Sequence, residues 1–562
     1  MPKATRKITG ALPALLFAVA AALLAGACDR KQGPPSGVEP PDNQVATVEV
    51  TPPTLVLSVG GNQKLTARAF NASHVALDGV TVTWSSDASG VAQVSQDGTV
   101  TAVAAGTAHI TAVGAGKQAT VQVTVVGQTT GNVIVVNPAV RYQTISGWEA
   151  TGNAGAGSPA FPLVRQQLFD MAVNDVGINR VRLQLRSGIE NTQDYNALHD
   201  AGQIDDATWR CVRYATVNDN SDPNSINPGG FHFSSLDFAV DNVILPLKQR
   251  LEARGEKLFI NLNYVAFTDA ICSGHGYHHN SAAEYAEFIL AASLHLRSKY
   301  GLVPDAWEVI LEPDNTSFWR GTQIGNAIVA TAARLSASGF TPRFIAPSTA
   351  RPLSAGPYFD ALVQVQGVKP YLLELSFHRY GSPTDADLEA IAARAIQHGI
   401  NTSMLEHIGS DYNDLHQDLK HARVSAWQQY ALAFPTNDDG AQYLILSASN
   451  LASPSVIMGS RTRFLSQYFK YVRNGAVRID ATSGVTAIDP LAFINPNGGF
   501  VVVVKANAAS SFGITGLPPG TYGISHTTAN VLDVDHADVT IGAGARLDTS
   551  IPQRGVITIY RK

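Results

Sequence analysis

From about Tyr142 to Val477, short apolar runs alternate with helix-like segments, and this alternation constrains the fold more than any other feature of the chain. Candidate strands are Thr144–Trp148, Arg180–Leu185, Leu258–Asn263, Trp307–Leu311, Phe344–Ala346, Leu373–Phe377 and Thr402–Leu405, with an eighth within Tyr443–Met458. Candidate helices are Pro162–Ala172, Ala282–Tyr300, Ile324–Ser338, Ala386–His398 and Val424–Leu432. Strands separated by helices pair in parallel, and eight such units close into a (β/α)8 barrel. The long polar stretch from Ser187 to Phe231 reads as a substrate-facing insertion after the second strand.

The flanks of the barrel have a different texture. Residues 29–44 are rich in Pro, Gly and polar residues and form a linker. Residues 45–127 carry short alternating strands separated by Gly and Asp turns, the pattern of a small β-sandwich. The runs Val82–Thr83–Trp84–Ser85–Ser86, Val91–Ala92–Gln93–Val94 and Gly98–Thr99–Val100–Thr101–Ala102 make this segment resemble a bacterial immunoglobulin-like domain of group 2, with Trp84 in its core. After about Ala481 strands return, so the predicted order is 132–141 as a joining strand, 142–480 as the barrel and 481–562 as a second, C-terminal β-sandwich.

Composition narrows the function. With 45% hydrophobic residues, 15% charged residues and a net charge of −5, no broad basic surface argues for nucleic acid. Lys3, Arg6 and Lys7 precede an apolar stretch that ends in small residues, so residues 1–28 read as an export signal. Ala25–Gly26–Ala27–Cys28 resembles a bacterial lipobox, which makes Cys28 a lipidation candidate and a membrane anchor; plain signal cleavage and an uncleaved anchor are the other readings. The expected location is the periplasm, the outer membrane or the cell surface, and the protein is expected to act as a monomer. Cys211 and Cys272 then remain as a disulfide candidate in an oxidising compartment, with two free thiols as the alternative.

Glu312 and Glu406 each close an apolar run of the barrel pattern. Carboxylates at the C-terminal ends of two barrel strands converge on one cleft, and cleavage of a glycosidic bond needs two facing carboxyl groups. Trp307–Glu308–Val309–Ile310–Leu311–Glu312–Pro313, Phe377–His378–Arg379–Tyr380 and Arg182 resemble the signatures of the clan of (β/α)8 retaining glycoside hydrolases. Within that clan, Gln143–Thr144–Ile145–Ser146–Gly147–Trp148 and Asn474–Gly475–Ala476–Val477–Arg478–Ile479 resemble glycoside hydrolase family 30, whose barrel carries an appended β-sandwich. The resemblance implies Glu312 as acid/base on strand four and Glu406 as nucleophile on strand seven. One departure stands out: the clan has Asn directly before the acid/base, where it bonds the sugar 2-hydroxyl, and this chain has Leu311.

The supporting residues follow from chemistry. Glu308 shares inward parity with Glu312, and a buried charge needs a partner, which points to an ion pair with Arg182. Arg182 alternatively holds the nucleophile ionised. His378 is expected to orient a carboxylate or sugar, and Tyr380 to bond Glu406 or line the cleft. Trp148, Tyr264 and Trp319 are candidates for stacking on a sugar, although core packing is the preferred reading for each taken singly; Trp427, on an expected helix, should be core. His275, His278 and His279 cluster near Cys272 without a recognised metal-ligand pattern, so no metal and no cofactor are expected.

These features predict an exported glycoside hydrolase acting on a β-linked polysaccharide by a retaining mechanism. A general acid at neutral pH calls for a raised pKa on Glu312. The main alternative is a carbohydrate-binding or adhesive surface protein that keeps the fold without turnover, and a transglycosylase is a third reading.

Overall fold

The computed structural model describes residues 44–126, 132–267, 279–435, 438–447 and 451–562. Eight parallel strands pair in chain order: β1 (Gly147–Thr151), β2 (Arg180–Arg186), β3 (Phe259–Val265), β4 (Ala306–Glu308), β5 (Phe344–Thr349), β6 (Leu372–Phe377), β7 (Asn401–Met404) and β8 (Val424–Phe434). β8 also pairs with β1, Trp148 opposite Trp427, so the sheet closes on itself into a barrel. Helices such as Ala282–Tyr300, Gly321–Ala337 and Asp385–His398 form the outer layer.

β2 shows why this sequence forms a barrel with a polar interior. Its apolar residues Val181, Leu183 and Leu185 alternate with Arg180, Arg182, Gln184 and Arg186. The apolar set is fully buried in the core shared with the helices, leaving the arginines inside the barrel. The same alternation sets Trp307 against Phe340 and Phe344 in the helix layer while Glu308 faces inward. Buried charges persist only when paired. Arg180 donates to both oxygens of Glu374, at 2.7 and 2.8 Å, and also to Glu149. Asn261 bridges Glu149 and Glu308 at 3.2 and 2.8 Å. This network floors the cleft and fixes the strand ends above it.

The expected helix over Val424–Leu432 is instead β8, and Tyr443–Met458 is not a barrel strand. Its residues form a hairpin, Gln442–Ser447 and Ser455–Met458, beyond β8. β8 is buried on nearly every residue, so it lacks the alternation that marks a half-exposed strand. Val424, Trp427 and Ala431 happen to fall at helical spacing. β4 ends at Glu308, earlier than expected, although Val309 N–H still donates to the Ile345 carbonyl at 3.2 Å and Leu311 N–H to the Tyr264 carbonyl at 3.0 Å.

Two β-structures flank the barrel. Strands between Thr47 and Val126 pack around Trp84, Val100, Ile110 and Val123, all buried. The C-terminal sandwich has its own core around Val502, Val504, Phe512 and Ile557. Val133–Thr144 joins it, antiparallel to Val477–Ser483 and parallel to Ser510–Thr515. No helix among the described residues is long and apolar enough to cross a membrane. The export signal, the lipobox and Cys28 lie outside the described residues, as do His275 and His278.

Candidate active site

Glu406 follows β7 by two residues, and its backbone carbonyl accepts a bond from Arg379 N–H at 3.0 Å. Glu406 is 8% exposed. One oxygen accepts from the Arg182 guanidinium and the other from the Tyr380 hydroxyl at 3.1 Å. Burial and the adjacent Glu406 charge push the Tyr380 phenol well above its ordinary pKa, so it stays a donor.

Glu312 sits at φ 51°, a left-handed conformation uncommon for a non-glycine residue. Two bonds support that turn: Glu312 N–H to the Ser348 carbonyl at 3.0 Å, and Ser348 to the Ser376 hydroxyl at 2.7 Å. The Glu312 carboxylate accepts from His378 Nδ1 at 3.0 Å and from Asn315 Nδ2 at 2.9 Å. His378 Nε2 faces Arg182 Nη1 at 3.3 Å. A guanidinium only donates, so Nε2 accepts and the ring proton lies on Nδ1, pointing at Glu312. The result is one bonded chain: Asn315, Glu312, His378, Arg182, Glu406 and Tyr380.

Ligand-capable atoms of Glu312, His378 and Glu406 lie within 4.8 Å of one another. Among the described residues this is the cluster with metal-like spacing. Arg182 already supplies a full positive charge at Glu406, which opposes a second cation there. Arg182 also lies 3.8 Å from Glu308 and donates to the Leu405 carbonyl at 3.0 Å. It therefore ties β2, β4 and the β7 exit together.

Glu312 departs from the expected raised pKa. Burial raises it, but the hydrogen bonds from His378 and Asn315 and the nearby Arg182 charge outweigh that effect. Its carboxyl is held below the usual value.

The three aromatic candidates are packing residues, not sugar platforms. Trp148 is fully buried, stacked on Phe469 at 4.4 Å, and its indole N–H donates to the Val472 carbonyl at 2.6 Å. Tyr264 is fully buried, bonded to His279 at 2.7 Å, and meets Tyr285 and Trp319 edge to face. Trp319 is 3% exposed in the same cluster. Trp148 and Tyr264 share one cause: both alternate with the inward residues Glu149 and Asn261 and so face the helices. Trp427 is core as expected, though it lies on β8. Leu311 packs with Tyr214, Val265 and Phe267, so the position before Glu312 serves the wall of the insertion.

His279 bonds Glu190 at 2.5 Å as well as Tyr264, a structural role. Cys211 is disulfide-bonded, while Cys272, its expected partner, lies outside the described residues. Two residues at the site escaped the sequence. Asn315 is marked only by its spacing in Glu312–Pro313–Asp314–Asn315. Tyr430, whose phenol is raised by burial and by the Glu406 charge, was hidden because its strand read as a helix.

Comparison with known proteins fits this architecture. Residues 44–125 match the family model of the bacterial Ig-like domain (group 2). Among curated proteins no sequence matches. Among solved structures, the catalytic domain of the GH30 xylanase C from Talaromyces cellulolyticus aligns at TM-score 0.56 and 17% identity, covering 76% of this chain and all of its own. A GH30 endoxylanase from Clostridium papyrosolvens C71 aligns at TM-score 0.54 and 16% identity over 76% of this chain and 99% of its own. The endo-β1,6-glucanase BT3312 aligns at TM-score 0.54 and 15% identity over 78% of this chain and 94% of its own. The barrel and its sandwich have the glycoside hydrolase family 30 fold. At these identities the likeness concerns the fold alone.

Proposed function

We propose that this is an exported glycoside hydrolase that cleaves a β-linked polysaccharide with net retention. The observation that carries the reading is the spacing of Glu312 and Glu406, with one carboxylate oxygen of each within 4.8 Å of the other. Retaining enzymes hold their carboxyl groups about 5–5.5 Å apart, and inverting ones about 6.5–9.5 Å. Similarity to xylanases and to a β1,6-glucanase supports the substrate class. The bacterial Ig-like segment and the N-terminal signal pattern support export, with Cys28 as the lipid-bearing residue.

Glu406 is the nucleophile. Arg182 and Tyr380 donate to its two oxygens and aim it, so its oxygen forms a bond to the anomeric carbon as the glycosidic C–O bond breaks. Glu312 gives its proton to the departing oxygen. It then takes a proton from water, which attacks the same carbon and frees Glu406. His378 positions Glu312 through its Nδ1–H and links it to Arg182. The scheme requires no cofactor.

The first-formed product of a purified polysaccharide substrate, followed by proton NMR, should keep the β configuration. An α product at early times excludes the double displacement.

The bonds to Glu312 also set a pH dependence. A general acid held below its usual pKa is protonated only in acid, so the alkaline limb of kcat/KM should fall at low pH. Asn315→Ala removes a donor to the carboxylate and should move that limb upward by roughly 0.5–1 pH unit. A limb that stays in place, or moves toward acid, removes Glu312 from the acid role.

One observation favours the second reading, a surface protein that binds carbohydrate without turnover. Leu311 is packed into the wall and offers the sugar no hydrogen bond. Trapping of Glu406 by an activated 2-fluoro sugar separates the two, because a pure binder forms no covalent adduct.

A further inference from the structure

Arg186 ends β2 on the same inward face as Arg182, four residues nearer the barrel mouth. That offset is roughly 13 Å along a strand, the reach of two or three sugar units from the Glu406 centre. Above it the insertion folds over the mouth. The helix Asp206–Val212 brings Trp209 against Arg186, whose guanidinium carbon lies 5.6 Å from the ring centroid, and against Arg213 at 4.6 Å. Cys211 on this helix is disulfide-bonded, so the platform is tied down covalently.

What marks the cluster is unmet hydrogen-bonding capacity of one kind. Arg186 Nε, Arg213 Nε, Trp209 Nε1 and His232 Nε2 are all buried without a partner, and every one is a nitrogen. The three acids lining the same space are engaged elsewhere. Asp194 accepts from Ala197 N–H at 2.9 Å and from the Ser234 hydroxyl at 2.6 Å. Asp206 and Asp200 face His199 at 2.7 and 3.5 Å. No carboxylate among the described residues lies within ion-pair distance of Arg186 or Arg213. Burial, together with the neighbouring Arg186 and Arg210 charges, disfavours the protonated form of Arg213. A bound anion relieves that cost and satisfies the free donors.

The space has the matching shape. A cleft of about 790 Å³ runs from Gly152–Pro159 past Gln184 and Arg186 to Phe434. It meets a recess of about 20 Å³ that also contains Arg213 and His232, and both are lined by Arg186 and Trp209. The cleft has room for sugar rings, and the recess for an oxygen or two.

We propose that Arg186, Trp209 and Arg213 form a flanking subsite for a sugar bearing an anionic group, a carboxylate or a sulfate ester, so that the enzyme prefers an acidic polysaccharide. The substrate preference rests on the hydrolase reading; the anion site itself does not.

The test separates the two. Full-length protein labelled with ¹⁵N in its indoles is titrated with D-glucuronate, D-glucose 6-sulfate and D-glucose. The Trp209 Nε1–H resonance should shift saturably with one or both acids and not with glucose, and the acid giving the tighter curve identifies the source of the charge. Arg186→Met and Arg213→Met should each weaken that response at least tenfold. Equal response to glucose, or none to either acid, overturns the subsite. On polysaccharides, the double variant should lose at least tenfold in kcat/KM on an acidic chain and stay within twofold on its neutral counterpart; equal losses overturn the preference. A saturable indole shift in a protein that hydrolyses nothing keeps the anion site and removes the hydrolase reading alone.

Discussion

Glu406→Ala should lower turnover on the order of 10³-fold or more while leaving the barrel folded. The anomeric carbon loses the only carboxylate that Arg182 and Tyr380 both aim at the cleft. Arg182 keeps Glu308 as a counter-charge and the Leu405 carbonyl as an acceptor, so it is not stranded. The substitution also removes a negative charge instead of burying one, and a full ion-pair loss is avoided. Azide supplied to the variant fits the space left by the side chain. It should restore turnover of an activated aryl glycoside and yield a glycosyl azide of inverted configuration, because one displacement replaces two. Hydrolysis at the wild-type rate by the variant, measured with a matched thermal midpoint, removes the nucleophile assignment. Rescue that gives a retained azide product does the same.

The parts of this site that were legible in the sequence are those set by chain periodicity. Apolar runs separated by helices disclose a barrel, and a glutamate just past each of two runs discloses two carboxylates at one rim. Arg182, His378 and Tyr380 were marked by their resemblance to the motifs of the retaining glycoside hydrolase clan. Parity was legible too: Trp148 and Tyr264 alternate with Glu149 and Asn261, and an acidic or amide residue in the barrel interior forces the aromatics outward. The usual preference for apolar barrel interiors works against that inference here, because β2 carries its arginines inward. β8 was illegible for a different reason. A strand covered on both faces has no period of two, so Val424–Phe434 passed for a helix and took Tyr430 with it. The acidity of Glu312 depends on His378 and Asn315 approaching from two directions, which no local pattern encodes. Burial alone predicts a raised value, and the donors reverse the sign.

Arg182→Met should affect folding and catalysis together, and the way the two separate in Arg182→Lys identifies its role. The guanidinium is fully buried and faces Glu308, Glu406, His378 and the Leu405 carbonyl. Methionine fills much of the volume but leaves two inward carboxylates without their cation. Breaking a buried pair in this way costs roughly 3–5 kcal/mol, and chemical denaturation should show the variant that far below wild type. With no guanidinium to hold the Glu406 oxygen in place, kcat should fall on the order of a hundredfold or more. Arg182→Lys restores one charge but not the forked donors, so it should regain most of the stability and little of the rate. Rate and stability recovering together in Arg182→Lys would make Arg182 a purely structural residue, and the link between β2 and the nucleophile would have no catalytic content.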